Sequence, residues 1–419
     1  MNDMEGHPNL SFDNTAIAFA HKSNKELKEA HFLFTMMGQP WLVQLGTRLA
    51  PWSIKVGLPV KGIIRQTIFK QFVGGETLEE TASVADKLAQ SHVQVILDYG
   101  VEGMEGEEAF EQARDEFIRV INYAATQANI PYISIKVTGF ARFTLLEKLD
   151  AEMQQPGADS LIQRYQAALM RLSAEELNEW NRVMARARRI FEVAAQKRVG
   201  VLVDAEETWI QDPVDALVML MMDVYNKERA VIYNTIQLYR HDRLEFLKKS
   251  AAAAEERQFI LGAKLVRGAY MEKERKRATE KGYTSPIQPS KEASDKDYND
   301  AVRFCIERLD RIAVIVASHN EYSNLLTVQL LLERNQPANH PHVHFSQLYG
   351  MSDNITYNLA KAGCSVSKYL PFGPIKDVIP YLMRRAQENT SVGGQTSREL
   401  SLIQKELERR KSGSDQGRK

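Results

Sequence analysis

From about residue 90 onward the chain repeats one pattern: a short run of apolar and β-branched residues followed by a segment long enough for a helix. The runs are VQVILDY (93–99), YISIKVT (132–138), VGVLVDA (199–205), AVIYNTI (230–236), GAKLVRGAY (262–270), AVIVAS (313–318), HVHFSQL (342–348) and SVSKYLP (365–371). Strands apolar on both faces belong to a parallel sheet covered on both sides, and eight of them can close as a distorted (β/α)8 barrel of the α/β class. An open doubly wound sheet is the alternative. No G-x-G-x-x-G or G-x-x-x-x-G-K-[ST] turn follows any of the runs, which weighs against it.

The spacing divides the chain into an N-terminal helical arm (1–90), a barrel (91–400) and a C-terminal helix end with a disordered tail (401–419). In the arm, KELKEAHFLFTM, PWLVQLGTRLAPW and GIIRQTIFKQF carry helix-like spacing, broken at Pro40, Pro51 and Pro59. No Asp or Glu occurs from Ala30 through Gly75, while Arg48, Lys55, Lys61, Arg65 and Lys70 do. Such a stretch suits an anionic membrane surface; packing against the chain's own main domain is the commoner fate of an apolar helix. The longest crossover, about 140–198, holds several helices, with Ser173 and Glu176 forming a capping box.

Composition narrows the function. The 54 basic residues balance 54 acidic ones, so nucleic acid is not the expected partner. Two cysteines, Cys305 and Cys364, are too few and too far apart for a disulfide framework, which favours a reducing, cytoplasmic setting. The opening residues lack the blocks of a signal peptide or a mitochondrial presequence, and no stretch is apolar enough to span a bilayer.

In a barrel, chemistry gathers at the C-terminal ends of the strands. Lys136 ends the second run, Asp204 the third and Gln237 the fourth. Lys264 and Arg267 sit on the fifth, His319 and Asn320 follow the sixth, Gln347 ends the seventh and Tyr369 the eighth. For any one of these a satisfied structural role is the commoner one, but buried charges in such number are costly unless paired or used. After Gly373, which permits a tight turn, comes a helix with Arg384, Arg385 and Glu388. Adjacent arginines can grip a carboxylate or phosphate through forked hydrogen bonds. His340, His342 and His344 alternate, yet no acidic or thiolate partner accompanies them and no metal is expected.

The segments LVDAEET, NTIQLYRHD, GAKLVRGAYMEKER, ASHNE and YLPFGPIKDVIPYLMRRAQEN resemble the proline dehydrogenase family, in order, from about residue 90 to 400. The single-function form is the one resembled, since no aldehyde dehydrogenase domain follows. The resemblance implies non-covalent FAD at the barrel mouth and oxidation of L-proline to Δ1-pyrroline-5-carboxylate by hydride transfer from C5 to flavin N5. It implies a membrane quinone as electron acceptor; the basic arm would suit peripheral contact with the inner membrane surface, and a separate pyrroline-5-carboxylate dehydrogenase is a candidate partner.

Carried over by motif, Arg384, Arg385 and Lys136 would hold the substrate carboxylate. Tyr369, Tyr270, Tyr381, Leu265 and Leu348 would wall the ring. Asp204, Gln237, Lys264, Arg267, Gly268, Ala269, His319, Asn320 and Glu388 would contact or support the flavin. In one departure, many bacterial members have Arg then Lys in the strand-five motif, whereas here Lys264 precedes Arg267, as in the eukaryotic branch. Relatives preferring 4-hydroxyproline have a small residue at the position of Tyr369, so its bulk points to proline. The rival readings are a hydroxyproline dehydrogenase, a Schiff-base aldolase using Lys136 as nucleophile, and a non-catalytic barrel or membrane-surface scaffold.

Overall fold

The computed structural model describes residues 10–39, 41, 61–100, 104–391 and 395–416. Eight parallel strands follow one another in chain order around a closed barrel: β1 (Gln94–Tyr99), β2 (Tyr132–Ile135), β3 (Gly200–Val203), β4 (Ile232–Gln237), β5 (Leu261–Val266), β6 (Ile312–Ala317), β7 (Val343–Leu348) and β8 (Val366–Phe372). Every expected strand is present and the open-sheet alternative falls. The boundaries differ in ways that matter below. Strand β5 stops at Val266, so Arg267 lies just beyond it. Strand β8 runs to Phe372, so Tyr369 lies inside the strand and not at its end.

By compactness the chain forms two units, Val101–His344 and Met1–Gly100 with Phe345–Lys419. In the first, β2 to β6 pair in parallel register, Ile135 with Val203, Val203 with Asn234, and Thr235 with Lys264. The helices are α1 (Glu107–Ala124), α2 (Phe143–Met153), α3 (Leu161–Leu169), α4 (Ala174–Lys197), α5 (Gln211–Tyr225), α6 (Arg243–Glu256), α7 (Met271–Lys281), α8 (Lys291–Ile306) and α9 (Glu321–Glu333). The long crossover is α2 to α4. Ser173 and Glu176 cap α4 as expected, each accepting from the other's backbone N–H. Trp180 is buried on that helix and donates its indole N–H to Tyr165 Oη at 2.7 Å. Asp215 and Arg243 form a fully buried fork, with Arg243 Nη1 2.7 Å from Asp215 Oδ2. Asn234 Nδ2 adds a donor to the same carboxylate at 2.8 Å.

In the second unit β8 pairs with both β1 and β7. The helix α10 (Asn24–Met37) begins at a capping box of Ser23 and Glu26. A further helical stretch covers 61–72, with a π turn at Arg65–Phe69. The helix α11 (Thr81–Ala89) leads into β1. After β7 come α12 (Asp353–Lys361), α13 (Ile375–Ser391) and α14 (Gln395–Gln416). Leu27, Ala30, Phe34 and Met37 of α10 belong to one buried cluster with Val378 and Leu382 of α13 and Leu402 and Ile403 of α14. The described part of the arm is therefore packed on its own chain along one face, while Phe32 and Met36 are exposed on the other. Arg65 and Lys70 of the acid-free stretch meet carboxylates from outside it: Arg65 pairs with Glu76 at 3.2 Å and Lys70 with Glu29 at 2.9 Å. Of the expected helix over 40–52 only Trp41 is among the described residues; Arg48, and Lys55 after the helix, lie outside them.

Helix α14 runs to Gln416, well into the segment expected to be disordered. Its length follows from anchoring along one side: Arg410 donates to the carbonyls of Lys22 and Phe19 at 2.9 and 2.8 Å. Both cysteines are buried without a disulfide, and burial pushes each thiol up to about 12. Among the described residues no helix is long and apolar enough to cross a membrane.

Candidate active site

In the first unit the ends of neighbouring strands bring together a carboxylate and two amines. Asp204, the residue after β3, is fixed by its backbone N–H on the Ile135 carbonyl at 2.9 Å. Its Oδ1 accepts from Lys264 Nζ and from Ser134 Oγ, the latter at 2.7 Å, and its Oδ2 lies 3.7 Å from Lys136 Nζ. Lys264 reaches across from β5, two strands away, which a side chain can do only inside the barrel. Ser134 precedes Lys136 by two residues and so shares its side of β2. That spacing was the available signal for a residue the sequence reading omitted.

Lys136 and Lys264 are 8% and 5% exposed, so their charges are largely stripped of water. Burial alone would raise the Asp204 carboxyl. The opposing pull of Lys264 and Lys136, with their hydrogen bonds and that of Ser134, holds it down at about 2. The cluster carries one negative and two positive charges. Its excess positive charge suits an anionic ligand.

Gln237 closes β4 and is almost fully buried. Its Nε2 donates to the Glu206 carbonyl at 2.8 Å, while its Oε1 has no hydrogen-bond partner. Glu206 itself accepts from Thr138 Oγ1 at 2.8 Å. The neighbouring Glu207 pairs with Lys273, and Glu274 accepts from the backbone and hydroxyl of Thr208 at 2.8 and 2.7 Å. These acids and their partners were not singled out in the sequence, because nothing in spacing joins Thr138 to Glu206 or Thr208 to Glu274.

Arg267 is held on several sides by protein. Its Nε lies 2.6 Å from Asp295 Oδ1, and its terminal nitrogens donate to Ser318 Oγ at 2.9 Å and Ser323 Oγ at 3.0 Å. Its guanidinium sits over the Tyr298 ring at 4.3 Å. The arginine thus ties α8 to the turn after β6, where His319 is half-buried and Asn320 caps α9 through Ser323 N–H. Beyond it Gly268, with φ +140, and Ala269 form an exposed turn into Tyr270, which precedes α7. Leu265 is wholly buried and, by strand alternation, on the opposite side of β5 from Lys264. It is not brought to the cluster.

The remaining candidates lie in the second unit. Leu348 and Tyr369 are register partners on β7 and β8, so their side chains stand on the same side of the sheet. Gln347 Oε1 accepts from Thr356 Oγ1 at 2.9 Å. Gly373 has φ +143, which a side chain would strain, and turns β8 into α13. Arg385 is buried, with its guanidinium 5.2 Å from the Tyr381 ring one turn earlier, and Arg384 is half-buried beside it. The Glu388 side chain lies outside the described atoms. Of the alternating histidines, His342 Nδ1 is bonded to the Leu309 carbonyl at 2.6 Å. His344 packs edge-on against Tyr132, and burial pushes it down to about 3.

The family model "Proline dehydrogenase" matches residues 81–398. A carbapenem antibiotics biosynthesis protein, CarD of Pectobacterium carotovorum, is 35% identical over 88% of this chain and 92% of its own length. Hydroxyproline dehydrogenase of Xenopus laevis is 32% identical over 96% of this chain and 90% of its own. Among solved structures, proline utilization A from Bdellovibrio bacteriovorus superposes with a TM-score of 0.68 at 20% identity, over 90% of this chain. This chain spans 38% of that larger protein. The barrel, the order of its motifs and the extent of the family match together make the chain an oxidoreductase of the proline dehydrogenase family.

Proposed function

We propose that the chain oxidises L-proline to Δ1-pyrroline-5-carboxylate with bound FAD and a quinone as final acceptor. The observation that carries this reading is the Lys136–Asp204–Lys264 cluster, an excess positive charge built from three strands and shielded from water. The strand ends also suit a flavin. The unpartnered Gln237 Oε1 offers a hydrogen-bonding edge, an amide whose two ends can exchange roles, and the exposed Gly268–Ala269 backbone offers more. Bound flavin would supply the hydride acceptor for the substrate C5 and then pass the two electrons on.

The side chains do the rest. Lys136, with Arg384 and Arg385, binds the substrate carboxylate and offsets its desolvation. The same cations disfavour a protonated ring amine, which must shed its proton before the C–N double bond can form as hydride leaves. Asp204 has both carboxylate oxygens engaged by the lysines and Ser134. It keeps the two lysines in place. Lys264 and Arg267 take the flavin side, Arg267 by fixing the turn that carries His319 and Asn320. Tyr369 and Leu348 wall the ring together with Tyr270 and Tyr381.

Paired with Asp204, Lys136 is arranged for ion pairing and not for attack as a neutral amine, which disfavours the aldolase reading. A hydroxyproline substrate is favoured by one relative's name, and the bulk of Tyr369 weighs against it. Peripheral membrane contact through the exposed Phe32 and Met36 side of α10 would bring the quinone within reach. Product would pass to a separate pyrroline-5-carboxylate dehydrogenase.

The deciding experiment is a visible spectrum of the purified chain before and after anaerobic L-proline. Flavin bands that bleach on addition are the expected result. A colourless chain that cannot be reconstituted with FAD, or bands that proline leaves unchanged, would overturn the reading.

A further inference from the structure

The second unit contains a buried charge cluster that none of the steps above uses. Lys368 of β8 is 1% exposed, yet it is a lysine in the middle of a barrel strand. Its ammonium lies 2.9 Å from Asp353 Oδ1 at the start of α12, and it donates to the Met351 carbonyl and, at 3.5 Å, to that of Leu348. Asp353 Oδ2 is in turn 2.8 Å from Lys22 Nζ and 3.6 Å from His21 Nε2, both in the segment before α10.

The groups facing this cluster are charged or titratable from every direction. His21 is stacked on Tyr357 of α12 at 3.9 Å. Tyr349 is half-buried alongside, and Glu399 of α14 accepts from the Ser352 backbone N–H.

All of these contacts converge on one stretch of backbone, the turn from β7 into α12. It contains two left-handed residues, Gly350 at φ +80 and Ser352 at φ +51. A Cβ at Gly350 would come within 2.1 Å of the Gln71 carbonyl, while Gln71 Nε2 donates to the Gly350 carbonyl at 2.7 Å. Ser352 has a side chain and is strained there. Such backbone persists only where its surroundings over-determine it, and strained turns of this kind cluster at functional sites. The turn begins at Leu348, the register partner of Tyr369, and Tyr349 N–H donates to the Tyr369 carbonyl at 2.9 Å. Lys368 is therefore the covalent neighbour of one proposed ring wall and the hydrogen-bond donor to the carbonyl of the other.

We propose that Lys368, fixed by Asp353 and Lys22, is a positioning residue that holds the β7–α12 turn and thereby sets Leu348 and Tyr369 against the substrate ring. The proposal rests on the reading of those two side chains as ring walls. It adds that the segment before α10, through Lys22 on Asp353, and the last helix, through Glu399 on Ser352 N–H, act on substrate fit through the same turn.

The test uses the holoenzyme with Lys368→Met, which keeps the volume and leaves Asp353 paired with Lys22. KM for L-proline is expected to rise by about fivefold with kcat within about twofold, and the ratio of 4-hydroxyproline to proline turnover to rise by about threefold. Amide hydrogen exchange at 348–353 is expected to speed up by about tenfold. A merely structural residue would lower the amount of active enzyme, hence kcat, and leave KM and the substrate ratio alone. Should Lys368→Met not fold, Lys22→Met, at a less buried position, carries the same readouts with smaller expected shifts. Wild-type KM, ratio and exchange in the folded variant overturn the proposal. A wild-type holoenzyme inactive on proline overturns the functional reading instead, and exchange at 348–353 then decides whether Lys368 holds the turn.

Discussion

The two units each place one aspartate between two lysines, and the resemblance ends there. Around Asp204 the lysines come from two strands on either side of β3 and meet at the barrel interior. Around Asp353 they come from the N-terminal segment and from β8, and two further ionisable groups, His21 and Glu399, stand nearby. Burial, with the charge of Asp353, pushes the Glu399 carboxyl up to about 7 even as Ser352 N–H and the lysines draw it down. The cluster at the strand ends is the one proposed to bind, whereas the one that joins distant segments and carries its own adjustable carboxyl fastens them. The same two residue types serve both ends because what differs is which parts of the chain they bring together.

Neutralising each aspartate should break the parallel most sharply. Asp204→Asn leaves two buried amines without their carboxylate, a loss expected at about 3–5 kcal/mol of stability and nearly all turnover. Asp353→Asn should cost less, because removing the Asp353 charge lets the neighbouring Glu399 ionise more readily and face the two lysines in its place. Urea unfolding of the two variants measures this, and an equal loss in both would erase the distinction. Next in size, Arg384→Met should raise the proline KM by about tenfold or more, since a charged hydrogen bond is worth roughly 1.5–3 kcal/mol. An unchanged KM would remove Arg384 from carboxylate binding.

A smaller effect is expected at the ring. Tyr369→Ser should raise turnover of 4-hydroxyproline relative to proline, and steady-state rates on the two substrates check it. The smallest concerns pH and stability. Glu399 binds its proton more tightly folded than unfolded, so its contribution is complete below about 4.5 and is lost as pH rises through about 7. Asp150 of the first unit, raised to about 7 by burial and by the charge of Asp212, acts in the same direction. Glu399→Gln should therefore flatten only part of the fall in melting temperature between pH 5 and 7.5, and an unaltered slope would take Glu399 out of the account.

The barrel was legible because its strands are apolar on both faces and because each was followed by a helix-length segment, so all eight were placed within a few residues. Lys136, Asp204 and Lys264 were legible as strand-end charges, although their mutual contact was not. Ser134 was within reach through its two-residue spacing from Lys136. The Asp353 cluster was out of reach. Its members stand at 21, 22, 353, 368 and 399, each unremarkable beside its neighbours, and only the packing of distant segments joins them. Lys368 was even hidden by the pattern, since a single charge in an apolar run reads as the solvent side of a strand. The composition of the last residues is that of a disordered segment, while the helix reaches Gln416 from a stretch that Arg410 anchors on Lys22 and Phe19.

One practical consequence follows from the two sequestered thiols. With Cys305 and Cys364 both inside the protein and their thiolates disfavoured, maleimide or iodoacetamide should ignore the native chain. A single cysteine introduced on the outer side of α10, at Phe32 for instance, would then be a selective handle for a fluorophore or spin label, and the environment of that surface could be followed without mutating anything else.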